Sequence, residues 1–488
     1  MNNCSLGLRA LVVSLLVLPV LGQAETPTVS APEPYPLSGR YPAQVALGSA
    51  AGLATLYRLG TDIGAIRSRD GAPFLRAGAL GPVVATVYVT SAEARALERA
   101  GLRTEPLPNK SLRAARQYGP GAGSAYDWPS FDQVVARMRA IADARPDIVR
   151  MVSIGRSVQG REIWFLKITD NPDAEEDEPE FRYSAAIHGD EVVGSELTLR
   201  LAELLASRYG ADAALSDLVD RLEIWLCPVH NPDGYVAVER TNAHGQDLNR
   251  SFPDRFRDPV DTPDGREPET QATMRFCSDR RFAMGANLHC GARLVNYPWD
   301  ATIAPDQQPS GQLALAPDDA LFREFGTGYA QRNAMLVKTG LRQGVTQGWE
   351  WFQIWGGMQD WAYFWHGEHH VTIEVAAESY PPYQEMDAYW DVNRDAMLWW
   401  MSRALTGIRG VVRDAASGAP LDASVSVDGM ALPNAVRTDP DVGDYHRLIA
   451  PGTHRLIASA PGYRDGLAVV PVVSGVATLQ DFALTPVP

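Results

Sequence analysis

Apolar stretches with strand or helix spacing follow one another through the middle of the chain. Residues 181–187 form an apolar run that predicts a buried strand, and the apolar spacing over residues 193–205 predicts the helix after it. Further strands are predicted over residues 222–228, 283–288 and 370–375. Strands that alternate with helices indicate an open α/β sheet, and such sheets bind ligands at the carboxyl ends of their strands. Polar residues near those ends are therefore the first candidates for function.

The pattern differs on either side of this central region. Before it, a β-branched strand over residues 83–89 leads into Thr90 and Glu93, a predicted capping box for a helix that stops at Gly101. From Gly407 onward, short β runs are separated by Pro-Gly and Ser-Gly turns, which is typical of a small β-sandwich. A small α+β unit and a β-sandwich are thus expected to flank the central region.

A segment rich in Pro, Gly and basic residues, 104–125, follows the α+β unit. Its composition predicts a linker in which Lys110, Arg113 and Arg116 are exposed. The unit before it could be a propeptide or a permanent accessory domain, and the sequence leaves both open.

The first residues have the composition of an export signal. Arg9 precedes an apolar run over residues 10–21, and a small-residue site ends at Ala24. The run is too short to span a bilayer comfortably, and no other stretch approaches the roughly 20 apolar residues of a membrane helix. We expect an exported protein, secreted or periplasmic, without stable membrane insertion. The predicted division is a signal peptide (1–24), an α+β unit with its linker (25–119), a central domain (120–405) and a β-sandwich (406–488).

The chain of 488 residues carries a formal net charge of −15, which limits its partners. An acidic chain without a basic stripe argues against a nucleic-acid partner. The charge could draw in cationic peptides, or it could serve only to keep the protein in solution.

Three cysteines follow the predicted signal: Cys227, Cys277 and Cys290. Because the number is odd, at least one has no partner within the chain, and buried free thiols are favoured over a disulfide. Cys290 follows His289 directly. Successive side chains of a strand point to opposite faces, so these two residues are not expected to bind one ion.

His188 and Glu191 follow the first central strand, and His289 follows another about a hundred residues later. Two ligands close in sequence and a third from a distant element, with a fourth position open for water, are typical of a catalytic zinc site. By itself the HxxE pattern is weak, and it also occurs in ordinary turns between a strand and a helix. Its position at strand ends favours the metal site, and one Zn²⁺ per chain is expected.

An ordered series of short motifs runs through the same region. They are HGDEVVG (188–194), NPDGY (231–235), DLNRSFP (247–253), NYPWD (296–300), GGMQDW (356–361) and TIE (372–374). Over residues 125–488 this series resembles the zinc metallocarboxypeptidases, in the branch of carboxypeptidases D, E, N and M. The resemblance implies an α/β fold with a mixed central sheet and helices on both faces, followed by a transthyretin-like β-sandwich.

The resemblance also implies roles for individual residues. Glu374 corresponds to the general base that takes the proton of the attacking water, and Arg240 to the arginine that polarises the scissile carbonyl. Asp247 corresponds to the carboxylate that holds the free N–H of a zinc-binding histidine, which is His188 in this chain. These roles satisfy what zinc-assisted peptide hydrolysis needs: a base, a positive group for the oxyanion and a fixed ligand tautomer.

Substrate recognition is implied in the same way. Asn249 and Arg250 correspond to the pair that binds the terminal carboxylate, and Asp300 with Gln359 corresponds to the pair that accepts a basic terminal side chain. Phe352 stands where the family usually has a tyrosine that hydrogen-bonds the substrate, so the ring is kept and the hydroxyl is lost.

Taken with the residues, the resemblance predicts an exported zinc carboxypeptidase that removes C-terminal Arg or Lys from peptides and proteins. Two other functions stay open. A cell-wall or glutamyl peptide hydrolase could use the same zinc core, although Asp300 with Gln359 argues against it. A non-catalytic peptide-binding protein is also conceivable, but ligands, base and oxyanion arginine are all present.

Overall fold

The computed structural model describes residues 39–68, 83–123, 127–302, 315–431, 433 and 435–487. All of them belong to a unit that comprises residues 35–488. The predicted signal peptide lies outside the described residues. Within them, no helix is both long enough and apolar enough to cross a membrane.

The first unit is a four-stranded antiparallel sheet with two helices. Its elements are β1 (Arg40–Leu47), α1 (Ala50–Arg58), β2 (Asp62–Ser68), β3 (Val83–Thr90), α2 (Ser91–Arg99) and β4 (Thr104–Pro106), and the strand order is β2-β3-β1-β4. Thr90 caps α2 as predicted. Its hydroxyl accepts a hydrogen bond from the Glu93 N–H at 3.2 Å, and the Glu93 carboxylate accepts one from the Thr90 N–H at 2.7 Å.

The predicted linker over 104–125 is wrong for most of its length. It begins with β4, and α3 (Lys110–Tyr118) occupies its middle. Helix-forming residues such as Leu, Arg, Ala and Gln fill α3, and the Asn109 side chain caps it by accepting from the Leu112 N–H at 2.9 Å. The flanking Pro and Gly residues therefore mark the ends of a helix and not an extended linker. Three basic side chains on α3 are exposed as predicted: Lys110, Arg113 and Arg116.

Eight strands form the central sheet, and helices alternate with them along the chain. The strands are β5 (Val149–Arg156), β6 (Glu162–Ile168), β7 (Glu180–Ala185), β8 (Glu223–Cys227), β9 (Phe282–Cys290), β10 (Leu294–Tyr297), β11 (Val345–Gln347) and β12 (His369–Ala376). The helices are α4 (Phe131–Ala144), α5 (Val193–Arg208), α6 (Ala213–Val219), α7 (Pro232–Ala237), α8 (Pro268–Ser278), α9 (Asp319–Arg332), α10 (Ala334–Thr339), α11 (Gly348–Trp351), α12 (Met358–His366) and α13 (Met386–Ser402). Four short 3₁₀ turns cover Leu248–Arg250, Leu341–Gly344, Tyr383–Glu385 and Arg403–Leu405.

The central sheet is mixed, with the order β11-β10-β12-β9-β7-β8-β6-β5. Its middle strands β12, β9, β7 and β8 run parallel, whereas β5 and β6 pair antiparallel with their neighbours. β10 pairs antiparallel with β12 and parallel with β11. Buried residues of α5 and α13, including Leu197 and Trp400, fill the core on one face. Met274 of α8 and Trp361 of α12 belong to a second buried cluster that also includes Trp225 of β8. Helices therefore cover both faces, and the predicted fold class is confirmed.

Two strands at the site, β9 and β12, extend further than predicted, whereas β7 ends at Ala185, short of its predicted end at residue 187. β9 runs to Cys290, so His289 lies inside a strand and not after its end. On the neighbouring strand β12, Glu374 is paired with His289 in the parallel register. Cys227, Cys277 and Cys290 are free and buried, as expected.

The last part of the chain consists of two four-stranded sheets. The strands are β13 (Gly407–Asp414), β14 (Ser424–Val427), β15 (Ala435–Arg437), β16 (Asp444–Arg447), β17 (Gly452–Ser459), β18 (Gly466–Val472), β19 (Ala477–Leu479) and β20 (Phe482–Leu484). Buried residues of both sheets, among them Val412, Val425 and Leu456, share one core. A buried ion pair between Arg447 and Asp318, at 2.9 Å, joins this sandwich to the central domain.

Candidate active site

His188, Glu191 and His289 meet at the edge of the central sheet. The first two lie in the loop between β7 and α5, and the third lies on β9. Glu191 Oε1 is 2.9 Å from His188 Nδ1, and its Oε2 is 3.0 Å from His289 Nδ1. The two Nδ1 atoms are 3.1 Å apart. Two imidazole nitrogens and a carboxylate facing one point form a donor set that suits Zn²⁺.

Close backbone packing fixes the loop that carries His188. A Cβ atom at Gly189 would lie 2.0 Å from the carbonyl carbon of Gly234, so only glycine fits there. The Asn231 amide donates to the Ile187 carbonyl at 3.2 Å and accepts from the Gly234 N–H at 2.9 Å. The NPDGY segment therefore packs against the metal-binding loop and holds its backbone in place.

Asp247 orients His188 from the other side of the ring. Its Oδ1 is 3.0 Å from His188 Nε2 and also accepts from the Asn249 N–H at 2.8 Å. Its Oδ2 accepts from Arg240 Nη2 at 2.7 Å. With Nε2–H donating to Asp247, the Nδ1 lone pair of His188 is directed at the metal position.

The carboxylates around His188, Glu191 and His289 favour a positive charge between these three side chains. Burial and the charge of Arg240 lower the pKa of His188, but the nearby carboxylates outweigh them and raise it to about 9. Burial alone would raise the pKa of Glu191, but the two histidines lower it below its usual range. A carboxylate that stays ionised although buried is the kind of group that holds a metal ion.

Glu374 faces this group from β12. The carboxyl is buried, and its Oε2 has no hydrogen-bond partner among the described residues. Burial, followed by the negative charge of Glu191, raises the pKa of Glu374 well above the ordinary value. Nearby, Gly291 has φ +121 and lacks a side chain that would approach Glu374. A carboxyl that favours protonation beside a metal group is suited to accepting and returning a proton.

Arg240 lies at the metal group and also contacts the first unit. Its Nη1 is 3.0 Å from His188 Nδ1 and 3.5 Å from Glu191 Oε1. Its Nε donates to Asp62 Oδ2 at 3.4 Å, and the guanidinium lies 5.0 Å from the ring centre of Tyr88. Because Nη1 lies next to the nitrogen that would bind zinc, the guanidinium and a bound ion would compete for this position.

Arg250 is held by the first unit as well. Its Nη2 donates to the Ile63 carbonyl at 3.0 Å and lies 3.7 Å from Asp62 Oδ1. Beside it, the Asn249 side-chain oxygen accepts from the Met358 N–H at 2.9 Å. Both candidate carboxylate-binding residues are thus in place, and β2 lies against one of them.

Asp300 is buried and hydrogen-bonded to Gln359. The carboxylate is 2% exposed, and its Oδ1 accepts from the amides of Gln359 at 3.0 Å and Asn296 at 3.1 Å. The Gln359 carbonyl oxygen in turn accepts from the Thr372 N–H at 2.8 Å. Burial raises the pKa of Asp300 to about 7, and the two amides lower it only in part. A Cβ at Gly348 would lie 1.9 Å from Oδ1, so glycine keeps this space free.

Phe352, predicted to contact the substrate, packs against the first unit in this structure. It belongs to the apolar cluster that contains Ile63 and other core residues of the first unit, together with Trp351 and Trp355. The Gln353 N–H beside it donates to the hydroxyl of a first-unit residue, Tyr57, at 3.1 Å. Phe352 therefore helps to seat the first unit in this structure.

Asp62 and Tyr88, which contact Arg240, were not predicted to belong to this site. They lie a hundred residues or more before the first motif in the chain, and the unit that carries them has no motif of its own. A contact between distant segments leaves no local pattern, so periodicity could not have found it. Of the residues predicted for the site, the donor atoms of His188, Glu191 and His289 are brought together, and Asp247 and Arg240 contact His188.

Comparisons with known proteins agree with this geometry. The zinc carboxypeptidase family model matches residues 134–396. Human carboxypeptidase D is 36% identical over 402 residues, which cover 78% of this chain and 28% of that protein. Carboxypeptidase SOL1 of Arabidopsis thaliana is 36% identical, covering 73% of this chain and 72% of its own. The human carboxypeptidase N catalytic chain is 32% identical, with coverages of 72% and 85%.

Solved structures share the fold. Carboxypeptidase A from Helicoverpa armigera superimposes with a TM-score of 0.55 at 17% identity, covering 74% of this chain and 96% of that one. Thrombin-activatable fibrinolysis inhibitor superimposes with a TM-score of 0.52 at 17% identity, covering 75% and 98%. At this identity the likeness concerns the fold alone.

Proposed function

The chain belongs to the zinc carboxypeptidase family, and from that premise we propose that it is a zinc-dependent exopeptidase that releases C-terminal Arg or Lys from peptides and proteins. One zinc ion would be held by His188, Glu191 and His289. The matched carboxypeptidase D chains are far longer than this one, which spans 28% of the human protein. The proposed activity is therefore argued from the residues of the site and not from the activity of those longer proteins.

The chemistry follows from the positions of the side chains. Bound zinc would polarise the scissile carbonyl and lower the pKa of a water molecule. Glu374 then accepts the proton of that water and returns it to the leaving amine. Arg240 donates to the oxygen on which negative charge develops. Asp247 keeps His188 in the tautomer that leaves Nδ1 free.

Recognition of the chain end would involve two further pairs. Asn249 and Arg250 are positioned to bind the terminal carboxylate, for which a planar guanidinium suits two-point contact. The observation that carries the basic specificity is Asp300. Its carboxylate is buried, and its Oδ1 accepts hydrogen bonds from two neutral amides rather than from a cation. A buried carboxylate in this state gains most from a guanidinium or ammonium group.

A peptide panel tests this proposal against its rivals. Peptides that differ only in a terminal Arg, Lys, Phe or Glu, and a muropeptide stem, are assayed with and without a zinc chelator. Chelator-sensitive release of Arg and Lys supports the proposal. Release from the Glu or muropeptide substrate alone would favour a cell-wall or glutamyl hydrolase, and binding without turnover by zinc-loaded protein would favour a peptide-binding protein.

We further propose that the unit before α3, within residues 25–119, covers the site and must move before a substrate binds. The contacts of Asp62 with Arg240 and of the Ile63 carbonyl with Arg250 support this. Arg67 adds a longer contact, from Nη2 to the Gly291 carbonyl at 3.4 Å. A peptide end needs the same two guanidinium groups, so the unit and the substrate exclude each other. This favours the propeptide role over a passive accessory domain.

A further inference from the structure

A second group of metal-ligand side chains lies where the β-sandwich meets the central domain. Asp177 is in the acidic loop between β6 and β7, and Asp444 and His446 are on β16. Residues two apart on a strand point to the same face. One donor atom from each of the three side chains lies within 4.8 Å of the others.

An unsatisfied carboxylate oxygen lies in this group. Asp444 is only 4% exposed; its Oδ2 is 2.8 Å from His446 Nε2, but its Oδ1 has no hydrogen-bond partner in the part of the chain that the structure describes. Burying a carboxylate oxygen without a partner is costly. Burial raises the pKa of Asp444, the hydrogen bond from His446 opposes this, and the charge of Asp177 raises it further. A cation at this point would give the buried carboxylate oxygen of Asp444 a partner and would offset the repulsion between Asp444 and Asp177.

The spacing resembles that of the active-site group. There, neighbouring donor atoms are 2.9 to 3.1 Å apart. Donors about 2.0–2.2 Å from one tetrahedral ion lie roughly 3.3–3.6 Å from each other. The 2.8 Å between Asp444 Oδ2 and His446 Nε2 is that of a hydrogen bond, and a small separation of the two groups would let both bind one ion. An imidazole with two carboxylates favours a transition metal over Ca²⁺, which prefers oxygen ligands throughout. We propose that Asp177, Asp444 and His446 bind a second divalent ion, Zn²⁺ or Mn²⁺.

The surroundings permit entry of the ion. His446 lines a cavity of about 340 Å³ between the sandwich and the central domain. Three arginines also line it, but they are engaged elsewhere, and one of them, Arg280, pairs with Glu175. Arg437 pairs with Asp422 at 2.7 Å, and Arg281 donates to the Thr438 carbonyl at 2.9 Å. An ion bound here would tie the β6–β7 loop to β16 and so fasten the sandwich to the central domain.

Metal content tests the proposal. Protein stripped with a chelator is reloaded with ZnCl₂ or MnCl₂, freed of excess metal and measured by mass spectrometry. We expect two ions per chain in the parent and one in Asp177→Asn, whose exposed side chain makes a folding defect improbable. Asp173→Asn, which alters an exposed carboxylate of the same loop that pairs with Arg150, should keep two. Peptide hydrolysis by Asp177→Asn should equal that of the parent.

A second measurement separates this ion from the active-site zinc. His289→Ala should lose the active-site ion and keep the junction ion, whatever the peptidase assay shows. The second equivalent of Zn²⁺ should raise the thermal unfolding temperature of the parent by several degrees and leave Asp177→Asn unchanged. A parent that retains one ion, or an Asp177→Asn protein that retains two, would overturn the proposal.

Discussion

Replacing Asp300 by Asn should abolish the preference for a basic terminal residue. The change keeps the shape of the side chain and removes its charge. The carboxylate is 2% exposed, so the guanidinium of a terminal Arg would be desolvated opposite a neutral amide. Losing one partner of a buried charge pair costs about 2–5 kcal/mol. That corresponds to a loss of roughly thirtyfold to several thousandfold in kcat/KM for an Arg-terminated peptide.

The assay compares kcat/KM for two peptides that differ only in a terminal Arg or Phe. Because the ratio is taken on one enzyme, the fraction of molecules covered by the first unit cancels. Turnover of the Phe peptide serves as the internal control for folding and zinc content. A mutant that prefers Arg over Phe within about threefold of the parent ratio would refute the assignment of Asp300.

The same pocket predicts a pH dependence. The raised pKa of Asp300, about 7, means that its carboxyl group is protonated below neutral pH when no substrate is bound. Binding a cation then requires that the proton leave, so the Arg-to-Phe ratio should fall about tenfold per pH unit below 7 and level off above it. In Asp300→Asn the ratio should not change with pH, and a parent whose ratio is flat from pH 5 to 8 would contradict the argument.

Four further predictions concern the remaining residues. His289→Ala in the Asp177→Asn background, where the junction ion cannot contribute, should contain almost no zinc; unchanged zinc would end the metal assignment. Glu374→Gln should keep its zinc and nearly lose turnover, and retention of more than about a tenth of kcat, a cost below roughly 1.4 kcal/mol, would show that another group is the base. Once the first unit has been removed, Phe352→Tyr should change turnover by less than about tenfold, since a neutral hydrogen bond contributes about 0.5–1.5 kcal/mol, whereas Phe352→Ala should weaken substrate binding through lost packing. Limited trypsin should cut at Arg113 or Arg116 and raise activity; unchanged activity after removal of the first unit would favour an accessory domain.

Elements were predicted correctly from the sequence where the structure of a segment depends mainly on residues within that segment. The capping box at Thr90, the helix after Glu191 and the central strands all appeared near the predicted positions because their signals are local. The end of β9 was misplaced because its last residues are held by pairing with β12, which no property of residues 288–290 shows. α3 was missed because flanking Pro and Gly outweighed its helix-forming interior.

The same distinction between local patterns and contacts of distant segments applies to the candidate site. His188, Glu191 and His289 were predicted from spacing and strand position, and the structure brings their donor atoms together. The placement of Phe352 in a cluster with the first unit depends on docking between parts of the chain far apart in sequence. Asp62 has no sequence pattern that could have identified it, because its significance lies in the arginines it meets.

The way the first unit is held bears on how it would be released. The contacts of Asp62 with the two guanidinium groups, at 3.4 and 3.7 Å, are longer than the roughly 2.7–2.9 Å of a strong charge-assisted hydrogen bond. Burial and the neighbouring Asp247 also raise the pKa of Asp62, which weakens the ionised form. The apolar cluster around Phe352 and Trp355, together with hydrogen bonds such as that of Arg40 to the Gly245 carbonyl, therefore contributes to the attachment beyond Asp62. It follows that a cut in α3 alone leaves the unit bound, so activity should rise only as the cut unit dissociates, and dilution after cleavage should speed that rise.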